Sequence, residues 1–187
     1  MEKAITNTGV FWGSFDPPTL AHKAIIVKMS DLFQEVLIIV NNFAQIKYFA
    51  PVEHRINMLQ SMLSGISKQP KILQQNDNHI NDYLKLKQQI PEHLSIVVGL
   101  DALQAWSETH AISELVNYDA VYIVPRSSCL VLNLENFTNI FQLPIDLNYQ
   151  GMSSTQVREN LSIIQNDNVK TSLDDNVATY IKQHKLY

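Results

Sequence analysis

The residues best placed to handle phosphate chemistry lie in two short strings. The first is Gly13-Ser14-Phe15-Asp16-Pro17-Pro18-Thr19-Leu20-Ala21-His22. Glycine lets backbone N–H groups approach an anion closely, and a helix start adds the positive end of its dipole. Pro17 and Pro18 suit entry into a first helical turn. Thr19 and His22 are three residues apart, so a hydroxyl and an imidazole share one face of that turn. Beside free N–H groups they form an array able to stabilise an oxyanion. The alternative is structural, with Thr19 as a helix cap and His22 as a satisfied core or surface histidine. The second string is Met152-Ser153-Ser154-Thr155-Gln156-Val157-Arg158. It opens a helix with three hydroxyl residues and places a guanidinium fork on the next turn, which suits a polyphosphate. Its alternative is an N-capped surface helix with an exposed arginine.

Elements alternating between strand and helix must carry these strings. Gly9–Gly13, the apolar run Glu35–Val40, a weaker Lys71–Gln74, Ser95–Gly99 and Ala120–Val124 read as strands. Gln142–Tyr149 reads as one or two more short strands around Pro144. Helical patterns cover Leu20–Phe33, Val52–Leu63, Ile80–Ile90 up to Pro91, Ser153–Ile164 and Asp175–His184, with another between Gly99 and Ala120. The fold expected is α/β: a single Rossmann-like, doubly wound parallel sheet with helices on both faces, in one domain spanning 1–187. Ligands of such sheets sit beyond the carboxyl ends of the strands. The loops after Gly13 and Val40, the Gly99-Leu100-Asp101 turn and the loop near Arg126 are therefore the ones that matter.

Bulk properties narrow the partners. A formal net charge of −4 gives no basic face for general nucleic-acid binding, and 45% hydrophobic residues is ordinary for a water-soluble domain. Cys129 is the single cysteine, so no internal disulfide forms and a reducing, cytoplasmic location is expected. The first residues lack the apolar core of a signal peptide, and no run reaches the length of a membrane span. A homo-oligomer is compatible with this composition.

The first string resembles the loop Gly-Ser/Thr-Phe-Asp-Pro followed by His/Thr-x-Gly-His of a nucleotidyltransferase superfamily, with Ala21 standing where the family has glycine. Met152–Arg158 resembles its Ile-Ser-Ser-Thr-x-Ile/Val-Arg segment. Gly99-Leu100-Asp101, the spacing to Val124-Pro125-Arg126 and the closing Tyr180-Ile181-Lys182-Gln183-His184-Lys185-Leu186-Tyr187 are similar to the nicotinate- and nicotinamide-mononucleotide adenylyltransferases. The resemblance runs from about Gly9 to Tyr187.

That resemblance implies transfer of AMP from ATP to a pyridine mononucleotide, with release of pyrophosphate, in NAD biosynthesis. It implies His22 as the main catalytic residue, acting as an imidazolium on the α-phosphoryl group, with Thr19 as its partner and Arg158 on the leaving group. Gly13, Ser14, Phe15, Gly99, Ser153, Ser154 and Thr155 would bind ATP, and Asp101 its ribose diol. Lys47, Trp106 and Arg126 would serve the acceptor, each with a bland alternative: a solvated lysine, core packing and an ion pair. Mg²⁺ would be held mainly through the ATP phosphates, with no dedicated protein ligand. Glu53 reads as a capping or dipole partner and Arg55 as structural. Thr109 and His110 stand where nicotinate-specific enzymes usually carry a Trp-Tyr pair, which leaves the acceptor open between nicotinate and nicotinamide mononucleotide. The alternatives are a pantetheine-phosphate adenylyltransferase and a nucleotide-binding module with a decayed site.

Overall fold

The computed structural model describes residues 7–44, 46–76, 86, 88, 93–100, 103, 117–125, 138–143, 145–149, 152–162 and 172–187. Six strands form one sheet: β1 (Asn7–Gly13), β2 (Glu35–Asn41), β3 (Lys71–Gln75), β4 (His93–Gly99), β5 (Ala120–Val124) and β6 (Ile140–Gln142). Their order is β3-β2-β1-β4-β5-β6, and every neighbouring pair is parallel. Because all strands run the same way, all their carboxyl ends lie along one edge. The strand order reverses between β1 and β4, so Gly13 and Gly99 flank the crevice where such sheets receive ligands.

The inner strands are apolar throughout because both of their faces are covered. Alternate residues of a strand point to opposite sides. Phe11, Val36, Ile38, Val40 and Val97 join one buried cluster, whereas Val10, Trp12, Leu37, Ile39, Leu94, Ile96 and Val98 join another. The first cluster also takes the apolar faces of α1 (Leu20–Leu32), α2 (Val52–Leu63), α3 (Ser154–Ser162) and α4 (Asp175–His184), through Ile25, Met29, Met58, Leu59, Val157, Val177 and Ile181. The second takes Leu86 and Leu103, so covering residues occur on both faces, as expected. Gly9 is required by close packing: a Cβ there would lie 2.3 Å from the Phe33 ring. The helix read at Ile80–Ile90 lies outside the described residues except for Leu86 and Gln88, both helical.

One expectation is corrected. The short strand near the end of the sheet is Ile140–Gln142, pairing with β5 from Val121↔Ile140 to Ile123↔Gln142, and it stops where the predicted strand was to begin. Leu147–Tyr149 is a 3₁₀ turn. The reason is local: the Asp146 carboxylate accepts the Asn148 N–H at 2.9 Å, an Asx contact that bends the backbone out of the sheet.

Candidate active site

The first string leaves β1 at Gly13 and re-enters regular structure at Leu20. Gly13 makes room rather than adopting an unusual conformation: a Cβ there would stand 2.9 Å from the Phe15 ring. Phe15 itself takes the left-handed conformation, with φ 51°. That backbone costs about 1–2 kcal/mol for a residue with a Cβ. In return the ring is buried edge-on to Phe11 at 5.5 Å and to His22 at 5.1 Å. Its side chain is therefore core, and the ring wall it forms with Phe11 backs the catalytic candidate.

Thr19 and His22 are brought into contact at the start of α1. Thr19 is the N-cap residue of α1, fully buried, and its backbone N–H donates to His22 Nδ1 at 3.0 Å. The Thr19 hydroxyl lies 3.0 Å from the same nitrogen. A backbone N–H can only donate, so Nδ1 is the acceptor and the ring proton sits on Nε2. His22 is thus a neutral imidazole, and the imidazolium expected from sequence is corrected. The structure also corrects the picture of free N–H groups at this helix start. The Thr19 N–H is spent on His22, and the Leu20 N–H donates to the Ser172 carbonyl at 2.9 Å.

Asp16 organises the loop. Its buried carboxylate accepts the N–H groups of Phe49 (2.7 Å) and Ala50 (3.1 Å) and the hydroxyl of Tyr187 (2.6 Å). Burial and the bond to Asp16 hold the Tyr187 phenol well above the usual tyrosine range. Arg55, on α2 and fully buried, works from the other side. Nε donates to the Ala50 carbonyl at 3.0 Å, and Nη1 to the carbonyls of Ser14 (2.7 Å) and Asn41 (2.8 Å). Nη2 reaches Asn42 Oδ1 at 3.2 Å, and the guanidinium stacks 4.1 Å from the centroid of the Tyr48 ring. Burial lowers its pKa, opposed by the field of Asp16. Its structural reading is the observed one: it clips the ends of β1 and β2 together.

The second string meets the first at this place. Ser153 Oγ accepts the Gln156 N–H at 3.2 Å and so caps the start of α3. The Ser154 hydroxyl donates to the Pro17 carbonyl at 2.8 Å. Arg158 donates from Nη1 to the Asp16 carbonyl at 2.5 Å and from Nη2 to Thr155 Oγ1 at 3.0 Å. Its guanidinium lies 4.5 Å from the centroid of the Phe49 ring. The three hydroxyls therefore have three different tasks, whereas the sequence suggested one shared target.

Lys47 is exposed in the loop after β2 and has no hydrogen bond or ion pair with a described residue. Gly99 stands at the end of β4, beside β1. Asp101, Trp106, Arg126, Thr109 and His110 lie outside the described residues. Sequence reasoning missed Asp16, Phe49 and Tyr187 as members of one cluster. A buried-acid signal was present in Phe15-Asp16-Pro17, but nothing local names a partner 171 residues away.

Comparison with known proteins agrees with this geometry. The model of the family described as cytidylyltransferase-like matches residues 10–160. A probable nicotinate-nucleotide adenylyltransferase of Acholeplasma laidlawii is 29% identical, covering 95% of this chain and 96% of the relative. One from Listeria monocytogenes serotype 4a is 25% identical, with 97% of both chains covered. Among solved structures, a Plasmodium falciparum nicotinic acid mononucleotide adenylyltransferase complexed with NaAD superposes with a TM-score of 0.78 at 23% identity, covering 96% of each chain. The chain belongs to the cytidylyltransferase-like family of nucleotidyltransferases.

Proposed function

We propose that this chain transfers the adenylyl group of ATP to a pyridine mononucleotide, nicotinate or nicotinamide, in NAD biosynthesis. The observation that carries the reading is the joining of two phosphate-type strings. Ser154 and Arg158 donate to the carbonyls of Pro17 and Asp16, fixing α3 against the loop that holds Thr19 and His22. The full-length relatives, named as nicotinate-nucleotide adenylyltransferases, weigh for a pyridine acceptor over pantetheine phosphate.

In this reading the acceptor phosphate oxygen attacks the α-phosphorus of ATP. A phosphorus–oxygen bond forms, the bond to the bridging oxygen breaks, and pyrophosphate leaves with that electron pair. A phosphate dianion is already a nucleophile, so positioning and charge stabilisation carry the catalysis. His22 donates from Nε2 to the α-phosphoryl oxygens, and Thr19 keeps that tautomer and ring orientation. Arg158 and the N–H groups at Ser153, Ser154 and Thr155 hold the leaving group, beside the main chain of Gly13, Ser14 and Phe15 and next to Gly99. Asp101 is assigned to the ribose diol, and Lys47, Trp106 and Arg126 to the acceptor. A neutral His22 makes this more economical, because the ring donates without adding a charge that must be desolvated.

In this reading the metal is held mainly through the ATP phosphates. Among the described residues no three His, Cys, Asp or Glu side chains come together, and Asp16 already accepts three hydrogen bonds. Mg²⁺ brought in on the triphosphate would neutralise part of its charge, with no dedicated protein ligand. We place the whole of 1–187 in one catalytic domain, acting in the cytoplasm on small nucleotides without nucleic acid or membrane, and compatible with a homo-oligomer. No helix among the described residues is long and apolar enough to cross a membrane.

Pyrophosphate release from MgATP, measured with nicotinate mononucleotide, its amide and phosphopantetheine, tests the reading. A dinucleotide product with either pyridine acceptor supports it. Turnover with phosphopantetheine alone, or ATP binding without turnover on any acceptor, overturns it.

A further inference from the structure

We propose that Phe49 is a positioning residue for Arg158, its ring serving as the platform that orients the guanidinium toward the ATP triphosphate. The proposal rests on the function above, and neither the family match nor the motifs assign Phe49 a role.

Phe49 is 69% exposed, the most exposed large apolar side chain among the described residues. A phenylalanine left in water on a loose loop would be unremarkable, but this backbone is not loose. The Phe49 N–H is held by Asp16 Oδ2 at 2.7 Å, the next N–H by Oδ1 at 3.1 Å, and the Ala50 carbonyl by Arg55 Nε at 3.0 Å. The chain is clamped on both sides of the residue, and the ring is held at the surface, over Arg158.

The contact has the geometry of a cation–π pair, with Cζ 4.5 Å from the ring centroid. Arg158 has five N–H donors, and two are used, on the Asp16 carbonyl and Thr155 Oγ1. Those two bonds fix the fork at one edge but leave rotation about that edge. A ring against one face removes that freedom, so the plane of the remaining donors is set. Asp16 thus acts twice on the same guanidinium: directly through its carbonyl, and indirectly by holding the N–H of the residue whose ring covers it.

The test is a double-mutant cycle read in ATP affinity by calorimetry, with turnover measured in parallel. Phe49→Ala and Phe49→Leu should each weaken MgATP by about threefold to tenfold, while Phe49→Tyr stays within about twofold of the parent. Leucine keeps the apolar bulk without the π face, so it also covers the case in which alanine disturbs the loop. In an Arg158→Ala background the Phe49 substitutions should have no further effect. Equal losses with and without Arg158, or parental affinity in Phe49→Leu, would overturn the platform role. A parent that binds ATP but turns over no acceptor overturns the proposed function alone, since the cycle in affinity still judges Phe49. A parent that does not bind ATP overturns both.

Discussion

The hydroxyl of Tyr187 donates to the carboxylate of Asp16 at 2.6 Å, tying residue 187 to the Gly13–His22 loop across 171 positions. The approach depends on how α4 ends. Lys185 adopts the left-handed conformation, with φ 54°, and its N–H and that of Leu186 both return to the Ile181 carbonyl, which turns the chain back toward the first loop. At the other end of the helix, Asp174 caps α4 and pairs with Lys23 of α1 at 2.6 Å. Both ends of α4 are therefore fastened to the segment that carries His22.

Tyr187→Phe removes one donor from a buried carboxylate and should cost about 1.5–3 kcal/mol of stability at neutral pH. The phenol pKa is raised in the folded state, so its contribution is complete below the unfolded value of about 10 and declines as pH rises beyond it. Urea midpoints from pH 7 to 11 should therefore fall more steeply above pH 10 in the parent than in Tyr187→Phe. Parallel curves would show that the hydrogen bond carries no such linkage.

For His22, the tautomer itself is measurable. Nitrogen NMR should report an unprotonated Nδ1 and a protonated Nε2 at neutral pH. His22→Ala should reduce turnover by about a hundredfold to a thousandfold, or 2.7 to 4 kcal/mol, as for other oxyanion donors. ATP affinity should change far less. His22→Gln, whose amide nitrogen reaches toward the Nε2 position, should recover part of the loss. Near-parental turnover in a folded His22→Ala protein would return the residue to its capping role alone.

Replacing Arg55 tests the clip at the strand ends. Arg55→Met leaves the buried Ala50 carbonyl and the part-buried carbonyls of Ser14 and Asn41 without their donor. At about 1 kcal/mol or more for each group, the loss should be at least about 3 kcal/mol. Chemical denaturation gives the value directly, and a change below 1 kcal/mol would mean that water replaces the guanidinium.

Asp101 is expected to accept from the ribose diol. Asp101→Ala should then weaken ATP roughly tenfold or more while affecting 2′,3′-dideoxy-ATP little, since a lost charged hydrogen bond is worth about 1.5–3 kcal/mol. Equal losses for the two nucleotides would assign the residue elsewhere.

Thr109 and His110 cannot stack a pyridine as tryptophan does. Discrimination between nicotinate and nicotinamide mononucleotides should accordingly stay below about a hundredfold, or 2.7 kcal/mol, in kcat/KM. A larger ratio for either acceptor would mean that other groups read the carboxyl or amide.

Regular structure was well marked in the sequence wherever one physical rule dominated. The bounds of α2 and α4 coincide with those read from periodicity, and the unbroken apolar runs of β2, β4 and β5 announced strands covered on both faces. β3 read weakly because it is an edge strand with most of its residues exposed. β6 was displaced because three residues carry too little pattern to locate. For the candidate site, spacing singled out Thr19, His22 and Arg158 but not how they are held. The tautomer of His22, the separate tasks of the three hydroxyls and the Asp16–Tyr187 bond are tertiary facts with no local signature.

The fastening of α4 bears on the order in which the contacts of this loop can form. Translation delivers the Gly13–His22 loop early, and all six strands have been made once Gln142 is added. The groups that hold the loop, the Ser172 carbonyl, Asp174 and the Tyr187 hydroxyl, all follow those strands in the chain. A nascent chain can thus hold all six described strands before the bonds that fasten the Gly13–His22 loop can form.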